Sequence, residues 1–533
     1  MNIDCSRLIT LLTLPVLFLT ASHPLEAQPV GSFRYAETEP PVEFNPHRLS
    51  ENRGPTDRLF ALIYETLVVW DYNRDVYEPG LAVSWTVSDD HTVVEFTLRD
   101  SVAWQDGARF TANDVELTFR YIQEKGSARA KDYVKNVRSV KATDDLTVVA
   151  KLTKALSEGA ALSVFSDLWI IPQHAFDGRL NSVAGRDISS SPIGTGPYKF
   201  VRRRSQDGGI ELEANSLYWR GAPNIARVGM EYVTDETTLA QMALFMRDMN
   251  LIDTPTEHLL QLEEGGIQII PYPSYTIHTF GYNFENPILK DNVVRTAIAY
   301  AIDRAQLLEQ WYNDRGYVLN GPFVQGSPYH DISTRPLPYD PREAGRKLDA
   351  AGYVDRDGDG IRESHDGTPL RFRLLVKASR AASSTKEQNV ANSVRSYLRR
   401  IGIDVQLMIR DLESYLEQRR TYQFDMIHTT WTFGANYDVT DLFHSSGIFE
   451  GGNNFIQFND PTVDKLLDLF GAETDADRRR VHMRTLQKIL QVKQPYLFLY
   501  SVPTFAAIQR QYVNTRIHPY YFFSYFRDWE IFE

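Results

Sequence analysis

The stretch that most constrains this 533-residue chain is Ser191-Pro-Ile-Gly-Thr-Gly-Pro-Tyr198, followed by Lys199-Phe-Val-Arg202. Two glycines flank Thr195 and allow positive φ, and Pro197 fixes the exit from the turn. Tyr198, Phe200 and Val201 then read as a strand start. By itself such a loop is also what a generic tight turn looks like.

Other segments set the class of molecule. An apolar run, Leu8 to Ala21, follows Arg7 and is broken by Pro15, so residues 1–27 read as a secretory signal with cleavage after Ala27. The single cysteine, Cys5, precedes that run, where it is misplaced for lipidation. The mature chain then has no thiol, which excludes disulfides, cysteine catalysis and zinc-thiolate sites. The formal net charge of −12 argues against nucleic acid or an anionic membrane surface as partner. Arg202-Arg-Arg204 and Arg478-Arg-Arg480 are too short to reverse this and read as solvated faces. Aromatic residues make up 12% of the chain, and their rigid faces suit both ordinary cores and a ligand cleft.

Periodicity predicts the organisation. Arg58–Asp71 reads as a helix running into a strand, and a second helical pattern begins at Asp114. Asp89–Leu98 and Asp144–Leu152 share a turn-then-strand form that predicts one small mixed domain. Residues 288–312 read as one long helix, with Val294, Ala297, Ile298 and Ala301 as its core stripe. A helix over Thr385–Ile401 lies between the strands Leu370–Val376 and Ile403–Met408, an α/β order.

Several motifs recur in a fixed order around the opening loop. They are Glu78-Pro-Gly-Leu-Ala-Val-Ser-Trp85, Trp104-Gln-Asp-Gly107, Phe110-Thr-Ala-Asn-Asp-Val115, Val294–Arg304 and Tyr339-Asp-Pro-Arg-Glu-Ala344. The series resembles the family 5 solute-binding proteins of bacterial ABC importers, which include oligopeptide-, dipeptide- and nickel-binding proteins. The resemblance runs from about residue 31 to the C-terminus. It implies an α/β, two-lobed periplasmic binding protein of the Venus-flytrap type, with a discontinuous first lobe and an extra small α+β domain. Lobe I would comprise 28–66, 191–271 and 503–533; the extra domain 67–190; lobe II 272–502. It further implies a periplasmic monomer that hands a small-molecule or peptide ligand to ABC permease subunits, with no catalysis and no required cofactor.

The site residues follow from the same resemblance. In peptide-binding relatives a Trp is followed three residues later by an Asp that pairs with the peptide's ammonium, a fit because a buried ammonium needs a charged partner. Here Trp431 is followed by Gly434, and the nearest acids are Asp438 and Asp441. Trp431, Phe433, Asn436, Tyr437 and Asp438 are the ligand-facing candidates, while Asp438 and Asp441 also suit a helix cap. Glu39 matches the family's mature N-terminal Glu-Pro stretch, although Asn45 replaces the usual Asp. Tyr282 and Asn283 lie near the crossover between lobes, suited to contacting ligand or pinning the hinge.

Asp355-Arg-Asp-Gly-Asp-Gly360 has a different chemistry. Asp355, Asp357 and Asp359 resemble the front of a calcium loop, but Ile361 falls one place early and the twelfth position is Asp366. The two readings are a structural calcium site and an acidic, glycine-rich hairpin. Enzyme signatures such as G-x-S-x-G, H-E-x-x-H and the P-loop are absent. The expected ligand is a peptide or modified peptide. An oligosaccharide or other small solute is the alternative, a secreted hydrolase the alternative from another class, and nickel is disfavoured by the scattered histidines.

Overall fold

A computed structural model of the chain describes residues 29–39, 43–49, 54–71, 74, 76–205, 207–378, 386–434, 437–519 and 522–532. The expected signal segment, 1–27, lies outside the described residues. Among those described, no helix is long and apolar enough to cross a membrane.

Two large sheets organise the molecule. The first has seven strands, drawn from Val30–Glu37, Tyr198–Arg203, Ile210–Ala214, Ile225–Tyr232, Met249–Leu251, Gln268–Tyr272 and Thr504–Ile508. Val30–Glu37 is central and pairs in parallel with Ile225–Tyr232 on one side and Met249–Leu251 on the other. The second sheet has six strands, all between Thr276 and Ser501. In it Thr276–Tyr282 runs antiparallel to both Met426–Thr432 and Tyr496–Ser501. Arg371–Lys377 pairs in parallel with Asp404–Arg410, the crossover helix Lys386–Arg399 packing behind.

The chain passes between the sheets at 273–275 and again at 502–503, so two adjacent connections form a hinge. Behind it, Arg315 pairs with Glu263 at 2.8 Å and Lys386 with Glu257 at 2.6 Å, tying the lobes together. A third, four-stranded antiparallel sheet, Ala82–Val87, Val93–Leu98, Thr147–Leu152 and Val137–Ala142, carries the helix Ala112–Lys125. It has its own core around Phe96, Trp104, Phe110 and Phe165.

Gly194 and Gly196 are required for a reason other than the expected one. Neither has positive φ. A Cβ on either would overlap backbone at Ile63, the end of the helix Gly54–Ile63. Gly196 N–H donates to the Ile63 carbonyl at 2.9 Å. Gln105, from the Trp104-Gln-Asp-Gly107 motif, closes the junction: its Nε2 donates to the carbonyls of Ile63, Gly196 and Tyr198, and its Oε1 accepts from Gly194 N–H. Two separate motifs therefore make one weld between the small domain and the first lobe.

Residues 288–312 are also corrected: they form three helices, Pro287–Lys290, Asn292–Ala301 and Arg304–Tyr312. Asp291 and Asp303 interrupt the run by capping new N-termini, accepting from Val293 and Gln306 N–H. The apolar stripe does enter the core of the second lobe.

Candidate functional site

A cavity of about 400 Å³ lies where the first lobe, the small domain and one rim of the second lobe meet. Among the described residues, the second lobe contributes Thr432, Phe433 and Gly434. The remaining wall comes from the helix Gly54–Ile63 and the residues after it as far as Trp70, the stretch 78–80, the short helix Ala128–Tyr133, the segment 166–169, Pro197, the turn at 218–220, His518 and the C-terminal stretch 524–528.

Local folding explains why charge reaches this wall. In Gly54–Ile63 the apolar run from Leu59 to Ile63 faces the core, leaving Asp57 and Arg58 on the cleft face. Arg58 is bound bidentately by Glu37, at 2.6 and 2.7 Å, and by Asp253 at 2.6 Å, while the Tyr272 hydroxyl donates to Asp253. Burial would lower the Arg58 pKa, but those two carboxylates outweigh it and hold the guanidinium charged. Burial raises the Glu37 carboxyl despite that partner.

Farther along, Arg99 and Arg220 both stack on Trp219, their guanidinium carbons 4.1 and 4.4 Å from the ring centre. Its indole N–H and the Tyr218 hydroxyl donate to Glu65, whose pKa is raised by burial. Arg99 and Arg220 donate to the carbonyls of Gly80 and Pro79, locking the small domain against the turn. Arg527 is held by Asp528 at 2.7 and 2.9 Å. The His518 Nε2 meets the Trp70 carbonyl at 3.1 Å, and burial lowers its pKa to about 4.

The sequence-derived candidates divide around this cavity. Phe433 lines it. Trp431 does not: it stacks on Phe455 at 5.5 Å and 15°, inside the second lobe. Tyr437 is core as well, 1% exposed, donating to the Pro322 carbonyl and accepting from Val324 N–H. Asp438 is exposed and accepts the Thr440 N–H at 2.8 Å, the capping alternative. Tyr282 is fully buried in the second lobe's core, and Asn283 donates to the Phe424 carbonyl; both sit at the end of Thr276–Tyr282 away from the 273–275 connection, so neither lines the cavity nor pins the hinge. Alternation explains this: in Thr276–Tyr282 the side chains of Phe280 and Tyr282 face the helices, not the cleft. Glu39 borders a separate cavity of about 200 Å³ on the other side of Arg58. Asn436 lies outside the described residues.

Asp355, Asp357, Asp359 and also Glu363 bring carboxylate oxygens within 4.8 Å of one another, an all-oxygen set that fits a hard cation such as calcium in a structural role. The loop also closes on itself. Asp355 accepts from Gly358 and Gly360 N–H, Asp357 from Asp359 N–H, Asp359 from Ile361 N–H and Arg371, and Glu363 from Arg356 N–H. It stands apart from the cleft.

Sequence reasoning missed most of the wall: Asp57, Arg58, Arg129, Tyr133, Asp167 and Trp169. One signal was available. Asp57-Arg58 and Asp167 abut the apolar runs Leu59–Ile63 and Leu168–Ile171, where charge is unexpected without a partner or a ligand.

Two lobes joined by a double crossover, with a polar and aromatic cavity between them, define a bilobal solute-binding protein. Residues 76–451 match the profile of the bacterial extracellular solute-binding proteins, family 5. The chain belongs to that family. It is 27% identical to the oligopeptide-binding protein AppA of Bacillus subtilis over 479 residues, covering 86% of this chain and 84% of AppA. The structure of AppA in complex with a nonapeptide superposes with a TM-score of 0.73 at 23% identity, covering 95% of this chain and all of that one. NikA from Brucella suis, solved with Fe(III)-EDTA, gives a TM-score of 0.81 at 24% identity, covering 94% and 100%.

Proposed function

We propose that the protein captures a peptide or modified peptide between its lobes and delivers it to the membrane permease of an ABC importer. The cavity carries this reading. Its volume of about 400 Å³ suits a small solute, and its lining mixes carboxylates and guanidiniums with Tyr64, Trp70, Tyr133, Trp169 and Phe433. Such a wall suits a zwitterionic ligand with apolar side chains. The sequence likeness to an oligopeptide-binding protein supports the same choice. Nickel fits less well: among the described lining residues His518 is the one histidine, and its Nε2 faces a backbone carbonyl. On this reading the mature chain works in the periplasm as a monomer, without a lipid anchor and without catalysis. Closure follows from contacts that a ligand makes to both lobes at once.

Native mass spectrometry of the purified protein with a random tetrapeptide pool and a maltooligosaccharide pool tests this. Peptide adducts and a smaller radius of gyration in small-angle scattering are expected. Adducts with glycans alone overturn the peptide assignment, and altered masses within either pool indicate a hydrolase.

A further inference from the structure

We infer that Arg220 and Arg527 form an anion subsite on the wall of the cleft, where the terminal carboxylate of a peptide docks beside Tyr218. The inference rests on the cleft being the solute site and deepens that reading. It assigns one end of the ligand to the turn at 218–220 and the C-terminal stretch 524–528, both outside the second lobe.

Three observations converge. First, positive charge is concentrated at this junction. Arg99 and Arg220 share the Trp219 ring, and Arg527 Nη1 donates to the Arg220 carbonyl at 3.1 Å, which brings three arginines together. Burial lowers the Arg99 pKa and Arg220 lowers it further, as like charges side by side must.

Secondly, the carboxylates nearby are spent elsewhere. Glu65 accepts from the Trp219 indole at 3.0 Å and from the Tyr218 hydroxyl at 2.9 Å. Glu78 is paired with Arg74, and Asp528 with Arg527. Arg220 Nη2 donates to the Pro79 carbonyl at 3.1 Å, a neutral acceptor, and its hydrogen-bond partner among the described residues is that carbonyl rather than an acid. Trp219 holds the guanidinium plane in place meanwhile. A fixed guanidinium with donors to spare is preorganised for a carboxylate.

Thirdly, the two arginines converge on the cavity. Arg220, Arg527, Tyr218 and Glu65 all line it, and both guanidiniums act on the Tyr218 hydroxyl, which puts them around one point of the wall. The acid on Arg527 is its chain neighbour Asp528, whose side chain is 57% exposed. So exposed a pair contributes little, and an incoming carboxylate can replace Asp528 at small cost. Arg99 is not among the lining residues, which makes it an internal control.

The test uses the whole mature chain and five proteins: parent, Arg220→Gln, Arg527→Gln, the double Arg220→Gln/Arg527→Gln, and Arg99→Gln. Each is titrated with a pool of tetrapeptides lacking Asp and Glu, and with the same pool amidated at its C-termini. The parent should bind the free acids about 10- to 100-fold more tightly than the amides. Each single cleft variant should cut that preference about 3-fold or more, and the double should abolish it. Arg99→Gln, which loosens the same stack from outside the cavity, should keep it. Arg527→Gln leaves the stack on Trp219 untouched, so it decides the matter if the Arg220 variants do not fold. Equal binding of both pools by the parent, or an undiminished preference in Arg527→Gln, overturns the subsite and leaves the peptide reading standing. Succinate supplies the second arm. If neither pool binds but succinate raises the melting temperature of the parent and not of Arg527→Gln, the peptide reading fails and the subsite holds. If succinate then shifts both alike, or neither, the subsite fails as well.

Discussion

The two faces of the cleft are built in opposite ways. The Trp431–Asp438 segment is rich in aromatics, yet two of them turn back into their own lobe: Trp431 onto Phe455, Tyr437 under Pro322 and Val324. The facing wall gathers Asp57, Arg129, Asp167, Arg220 and Arg527 from five places in the chain and points them into the cavity. Much of a conspicuous cluster in sequence therefore became scaffold, and scattered charges became the lining of the cavity. The physical reason is burial: an aromatic gains by leaving water wherever it can, whereas a charge stays at a boundary or carries a partner inward.

The comparison breaks most readily at Tyr437. It sits at φ 46°, in the left-handed region, with its ring stacked on Phe433 at 4.5 Å and 20°. Tyr437→Ala should cost the second lobe about 3–5 kcal/mol in denaturant unfolding. Tyr437→Phe, which strands only the Val324 amide and Pro322 carbonyl, should cost about 1–3 kcal/mol. A stable Tyr437→Ala protein that no longer binds the peptide pool would return this residue to the ligand site.

Acid should weaken both lobes. Burial lowers the pKa of His47 and His518 to about 4 in the first, and of His278 to about 4 and His428 to about 3 in the second. Between pH 6.5 and these values the unfolded chain binds more protons than the folded one, so stability is complete above pH 6.5 and falls as pH drops. By pH 5 each histidine should have removed about 2 kcal/mol. The Nε2 of His428 has no partner, so His428→Leu should be more stable than the parent at pH 5 and close to it at pH 7.5. Identical melting curves for the two at pH 5 would contradict this.

Trp431→Ala sharpens the contrast at smaller cost. The ring is only partly buried, so about 2 kcal/mol of stability should be lost, with ligand affinity of the folded protein unchanged. An affinity loss at unchanged stability would restore it to the cleft. At Asp438 the expected effect is smaller still. Asn retains the acceptor for Thr440 N–H, so Asp438→Asn should change stability by less than about 0.5 kcal/mol and leave binding as it was. The self-closed Asp355–Glu363 loop should respond least: millimolar calcium or a chelator should move the melting temperature by under about 1 °C. A larger rise with calcium would make it a metal site.

Local pattern was enough for much of the architecture. The strand–helix–strand order of Leu370–Val376, Thr385–Ile401 and Ile403–Met408 foretold an α/β unit, seen as a parallel pair around the helix Lys386–Arg399, and the two turn-then-strand segments foretold the small mixed domain, seen as two hairpins of one sheet. These features depend on neighbours a few residues apart. The motif series carried the family, and in this chain two of its motifs meet in one junction, Gln105 against Gly194 and Gly196. Tertiary structure alone decided the rest. It showed that those glycines answer to the approach of Ile63 rather than to positive φ, that Asp291 and Asp303 divide one apolar stripe into three helices, and which charges face the cavity. Asp57 and Asp167 are 110 positions apart, and no local periodicity relates them. What a side chain faces depends on which distant backbone arrives beside it, and that is settled only when the lobes close their cores.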